Sequence, residues 1–143
     1  MTRQETVQVL ALLKAAYPAS YKGMTRQEAN GVISVWATQF AQTPVDVILV
    51  AVNKLIATSP FPPAVSEVKG KLKDMYYEAA FELKLANTYG NLTDGQRRRI
   101  ARILDVCGRE PEPTLAALAA LAGGEEMRSL EAKGGGEIGK KET

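Results

Sequence analysis

The sequence predicts an all-α protein, a small bundle of four to five helices with a flexible C-terminal tail. Apolar residues recur at steps of three and four as far as Cys107, the period that stacks side chains on one helical face. The pairs Thr2/Glu5, Thr25/Glu28 and Thr93/Gln96 have capping-box spacing, in which each side chain satisfies a backbone N–H left free by a first helical turn. No stretch alternates apolar and polar residues for long between turn signals, so strands are a poor reading throughout.

Thr2 and Glu5 open a first helix reaching to about Tyr17, with Val7, Leu10, Leu13 and Tyr17 on one side. Pro18 stops it, because the residue before a proline is pushed out of the helical region. The connection over 17–23 carries Tyr17 and Tyr21, placed to clamp the ends of neighbouring helices. The second helix starts after Thr25 and runs to about Gln42, with Ala29, Val32, Ile33, Trp36 and Phe40 in one stripe. Trp36 is the only tryptophan of the chain, and large aromatic side chains dominate core energetics.

Thr43-Pro44 reads as an N-cap followed by proline at the first helical position, opening a third helix with Ile48, Ala51, Val52, Leu55 and Ile56 on one face. So short a connection predicts that the second and third helices pack as antiparallel neighbours. Ser59-Pro60-Phe61-Pro62-Pro63 then holds Phe61 on a stiff segment from which it would plug one end of the bundle. Pro63 suits the first turn of a fourth helix that runs to about Tyr89 through Val65, Val68, Leu72, Met75 and Ala79, with Gly90 as its stop and a break possible near Lys73-Asp74. A short basic helix over Gln96 to Cys107, with Ile100, Ile103, Leu104 and Cys107 on one face, ends at Gly108.

The expected core is thus Leu10, Leu13, Tyr17, Val32, Ile33, Trp36, Phe40, Ile48, Val52, Leu55, Phe61, Pro62, Pro63, Val68 and Leu72. Residues 1–90 form the expected bundle domain. Residues 91–122 hold the basic helix and an Ala/Leu-rich helix, packed on the bundle or mobile. Six of the twelve glycines fall in 123–143, among charges and few hydrophobes, so that stretch reads as a disordered tail.

The 143 residues are 45% hydrophobic and 24% charged, the balance of an ordinary globular domain. A net charge of +2 does not by itself argue for tight nucleic-acid binding. A single cysteine and no histidine leave no intramolecular disulfide, no usual zinc constellation and no His-based triad, so no metal, cofactor or catalytic residue is expected and the chain reads as a non-enzyme. No apolar run is long enough to span a membrane, and the polar start lacks a secretory block, so the expected compartment is the cytoplasm of a bacterial host cell.

Few motifs suggest chemistry. Gly134 to Lys141 approaches the phosphate-loop pattern but lacks the strand before it and the helix after it. Cys107 lies on an apolar face and is most simply a small core residue. Glu78 and Glu82 share a face one turn apart and read as solvated carboxylates. The basic helix is the more suggestive feature, since residues 91–109 hold five Lys/Arg against two Asp/Glu. Arg98 and Arg102 share a face while Arg97 and Arg99 point elsewhere, so Arg97, Arg98 and Arg102 are candidates for an acidic partner or for phosphates, and a solvated helix surface is the duller account. No aromatic residue interleaves with the arginines, which argues against single-strand stacking.

At Leu12-Leu13 to Ala16-Tyr17-Pro18, Val35-Trp36-Ala37-Thr38-Gln39-Phe40, Val50-Ala51-Val52 and above all Phe61-Pro62-Pro63-Ala64-Val65-Ser66-Glu67-Val68-Lys69, the chain resembles the replicative helicase loader and inhibitor proteins of Gram-positive phages and prophages. The resemblance covers about residues 3–75. It implies a compact helical front and a C-terminal part that engages a hexameric replicative helicase, inhibits it and assists its loading at an origin, with an origin-binding initiator as a further partner. Direct nucleic-acid contact stays open. Leu115, Leu118, Leu121, Met127 and Leu130 are the expected helicase contacts, because an amphipathic segment too weak to fold alone is a typical helix-in-groove ligand. The rival readings are a DNA-binding phage replication or regulatory protein using Arg97 to Arg102, and a small structural assembly factor.

Overall fold

The computed structural model describes residues 1–109, which form five α-helices and no strand. They are α1 (Arg3–Ala16), α2 (Arg26–Gln39), α3 (Val45–Thr58), α4 (Val65–Tyr89) and α5 (Asp94–Cys107), with a 3-10 turn over Pro18–Tyr21. All three Thr-led capping boxes form. Glu5, Glu28 and Gln96 each accept the N–H of their threonine at 2.6, 2.8 and 2.9 Å, and each threonine hydroxyl accepts the return bond. At α4 half of a box suffices, as the Glu67 carboxylate accepts the Ala64 N–H at 2.7 Å while alanine has no side chain to answer it. Gly23 makes the turn into α2 at φ 80°, a left-handed conformation that costs glycine least.

The core gathers Val9 and Leu13 of α1, Trp36 and Phe40 around the end of α2, Val47, Ile48, Ala51 and Val52 of α3, and Val68, Leu72 and Met75 of α4. Trp36 and Phe40 pack with ring centroids 5.6 Å apart and planes tilted by 51°, a favourable aromatic geometry. Pro63 is buried, and Leu10, Tyr17, Val32, Ile33, Leu55 and Pro62 are half-buried around this centre. Tyr17 does clamp a neighbour: its hydroxyl donates to the Ser59 carbonyl at 2.8 Å, tying the end of α1 to the end of α3.

Several details depart from the periodic reading. The face of α1 that is buried is Thr6, Val9 and Leu13, and Val7 is exposed. Thr6 can enter the core because its hydroxyl donates to the Thr2 carbonyl at 2.8 Å, so no polar atom is left unsatisfied. Thr43 is not the cap of α3. Its backbone closes a turn onto Phe40, and Pro44 holds the N-cap position, its carbonyl accepting the first helical bond from Ile48.

The short link between α2 and α3 does not make them neighbours either. α1 lies between them, packing on both, and α3 in turn packs on α4 and α4 on α5. Phe40, Thr43 and Pro44 fill the corner, and the Met1 amino group donates to the carbonyls of Phe40, Ala41 and Thr43 at 3.0, 3.1 and 2.8 Å, seating the start of α1 there. Phe61 is no plug. Its side chain is 73% exposed, and the buried member of the turn is Pro63. A ring pinned between Pro60 and Pro62 points where the stiff backbone sends it, and here that direction is solvent. Finally α4 continues unbroken past Lys73-Asp74 for 25 residues.

Candidate partner interface

α5 is the element on which the candidate arginines sit. Thr93 and Gln96 set its start, and Ile100 is its buried anchor, with Ile103, Val106 and Cys107 packed against the core alongside. That apolar edge lays α5 against α4 and decides where each guanidinium can reach. Arg102 turns to α3 and donates from Nε and Nη2 to the two Asp46 oxygens, both at 2.8 Å. Arg99 donates to both oxygens of Glu82 on α4, at 2.8 and 3.2 Å. Arg98 reaches only the Asp94 carbonyl and Arg97 only the Leu92 carbonyl, so neither has a carboxylate partner among the described residues.

The face shared by Arg98 and Arg102 in the sequence is therefore divided in the structure. One member is spent on a bidentate ion pair and the other has no carboxylate beside it among the described residues. The Arg102 hydrogen bonds hold the Asp46 carboxyl below the usual carboxylate range, and Asp46 in turn raises the guanidinium. Glu82 and Glu78 are likewise engaged, Glu82 with Arg99 and Glu78 with Lys54 at 3.1 Å. All these pairs are largely exposed, so they orient α5 more than they stabilise it.

Cys107 is half-buried between α5 and α4, and burial pushes its thiol up, the opposite of what a reactive thiolate needs. Among the described residues no group of His, Cys, Asp and Glu could hold a metal ion, and no helix is long and apolar enough to cross a membrane. Leu115, Leu118, Leu121, Met127, Leu130 and the glycine-rich run 134–141 lie outside the described residues.

Three surface features were not evident from periodicity. An apolar groove of about 210 Å³ opens between α1 and α2, where Val7, Leu10, Met24, Val32 and Ile33 face it. A more polar cleft of about 470 Å³ lies between α4 and the end of α5, with Lys69, Lys73, Tyr76, Tyr77 and Arg109 in its walls. The third feature is a ridge on α4, where Tyr77, Phe81, Leu85 and Tyr89 follow one another at steps of four, each at least 44% exposed. The i+4 spacing of that ridge was present in the sequence, but nothing there told which side of the helix the bundle would cover.

No curated protein and no solved structure matches the chain. Residues 1–69 match the family model for the N-terminal domain of the gene 39 product of phage SPP1, a helicase loader/inhibitor. The matched part runs from α1 through the first turn of α4, taking in the Trp36/Phe40 core and the Phe61-Pro62-Pro63 turn, while the ridge on α4 and the whole of α5 lie beyond it. Through residues 1–69 the chain belongs to the family of phage helicase loader/inhibitor N-terminal domains.

Proposed function

We propose that the chain is an adaptor of phage or prophage DNA replication that binds a hexameric replicative helicase, inhibits it and assists its delivery to an origin-bound initiator. The observation that carries this reading is the family match over residues 1–69. In this proposal the front bundle is a scaffold, and Leu115, Leu118, Leu121, Met127 and Leu130 supply the helicase contact. Any loading then draws on binding energy, since a partner's conformational equilibrium shifts only by the difference in affinity for its two states.

The DNA-binding rival draws less support. Arg99 and Arg102 already neutralise Glu82 and Asp46, which leaves Arg97 and Arg98 as the uncommitted cations of the basic run among the described residues. Two such charges give a weak electrostatic footprint on a duplex. The test is capture of the replicative helicase of the same phage or host by the full chain and by the chain ended after Gly108. Capture by the full chain alone is expected. Equal capture by the shortened chain would reject the assignment of contact to the C-terminal leucines, and no capture by either would reject the helicase reading.

A further inference from the structure

The ridge of Tyr77, Phe81, Leu85 and Tyr89 is an unusual surface for a helix to present to water. Large exposed apolar patches on small proteins mark interaction sites, and a ridge at i+4 is the form in which one helix packs into the groove of another. The bundle covers the opposite side of α4 through Val68, Leu72, Met75 and Ala79, and α5 covers a flank through the Glu82 pair, so the ridge has no helix over it among the described residues.

Where the described chain ends bears directly on this ridge. α5 runs back along α4 and finishes beside Tyr76. A Cβ on Gly108 would lie 3.0 Å from the Tyr76 ring and 2.5 Å from the Leu104 carbonyl, so the absence of a side chain there permits the close approach. Arg109 then stands in the wall of the cleft with Lys69, Lys73 and Tyr77, the first residue of the ridge. The next residues, Glu110-Pro111-Glu112-Pro113, bring two carboxylates to that lysine-bearing cleft. Five residue steps from Arg109 to Thr114 span up to about 17 Å when extended, more than the roughly 10 Å diameter of a helix.

Beyond that link, Leu115, Leu118 and Leu121 are spaced by three, with alanines between them that let a second backbone come close. As a helix, 114–122 is about 13 Å long, and Tyr77 to Leu85 covers about 12 Å of α4. The two apolar rows therefore match in length, and they start at the same place.

We propose that residues 114–122 dock as a helix along the Tyr77-Phe81-Leu85-Tyr89 ridge of their own chain, with Glu110 and Glu112 crossing the Lys69/Lys73 cleft. The short tether makes this an intramolecular event at high effective concentration, so a weak helix suffices. One consequence rests on the helicase reading above: leucines lying on α4 are withheld from the helicase, and α4 acts as the competitor that a helicase must displace.

The test uses the full chain with Cys107→Ala and a nitroxide on Ala120→Cys, a position opposite the leucine row. The expected result is a several-fold loss of amide signal confined to residues 77–89. It persists on dilution and disappears when Leu115, Leu118 and Leu121 are all changed to Asp. Absence of selective broadening would overturn the proposal, as would broadening centred on the α1–α2 groove around Val7 and Ile33. Broadening that passes from a labelled chain to an isotopically distinct unlabelled one would also overturn it, by making a second copy the occupant. No helicase is present in this measurement, so its failure leaves the helicase reading standing, and a failed helicase capture leaves the docking standing.

Discussion

Arg102 grips Asp46 across 56 residues of sequence with two 2.8 Å hydrogen bonds, joining α5, outside the family-matched part, to the first turn of α3, inside it. The pair is exposed at both ends, so its value lies in register: it fixes which face of α5 turns toward the bundle.

Removing the charge with Asp46→Asn should lower the melting temperature by a few degrees at most, and less at high salt, where exposed pairs are screened. Exchanging the partners, Asp46→Arg with Arg102→Asp, should restore most of the loss. The pH dependence follows from the lowered carboxyl. Because Asp46 titrates below its unfolded value in the folded chain, the pair's contribution is fully present above the usual carboxylate range and fades as pH falls through the lowered value. Acid melts of the wild type and of Asp46→Asn should therefore converge.

Ile100 is the one fully buried residue of α5, so Ile100→Ala should release this helix selectively. A change of this type costs about 2–5 kcal/mol in a packed core. Hydrogen exchange should report loss of protection over residues 94–107 while α1 to α3 keep theirs. Uniform loss over all five helices would mean that α5 is part of one cooperative unit with the bundle.

Two phenylalanines should behave in opposite ways. Phe40→Ala removes a fully buried ring next to Trp36 and should cost about 3–5 kcal/mol in denaturant unfolding. Phe61→Ala removes a ring that faces solvent and should fall within about 0.5 kcal/mol of wild type.

Tyr17→Phe deletes the donor to the Ser59 carbonyl while leaving the ring in place. The expected loss is about 1 kcal/mol, the usual net value of such a bond, read from the midpoint of a urea titration at unchanged slope.

Cys107 should alkylate slowly at neutral pH. Its rate should climb only above the ordinary thiol range, because burial favours the neutral form. By the same sign, the stability gained from burying the neutral thiol is present below the unfolded thiol value and is lost as pH rises through the raised one. Ile100→Ala should abolish the protection by opening the α4–α5 contact.

Residue order was enough to place the helices and their starts. Three- and four-residue periods and Thr-x-x-Glu/Gln boxes are local signals, and the backbone obeys them at Thr2, Thr25 and Thr93 whatever packs above. The Pro60 to Pro63 corner and the C-terminal end of α4 at Gly90 were legible for the same reason. Which side of each helix lies inside came from packing instead. A hydroxyl bonded to its own helix let Thr6 displace Val7 from the core, and the seat of Met1 in the Phe40–Thr43 corner put α1 where adjacency in sequence had suggested a contact between α2 and α3. The candidate interface needed the same information. Four arginines close together look alike in one dimension, and only the direction in which Ile100 lays α5 on α4 sorts them into two held by carboxylates and two left for a partner.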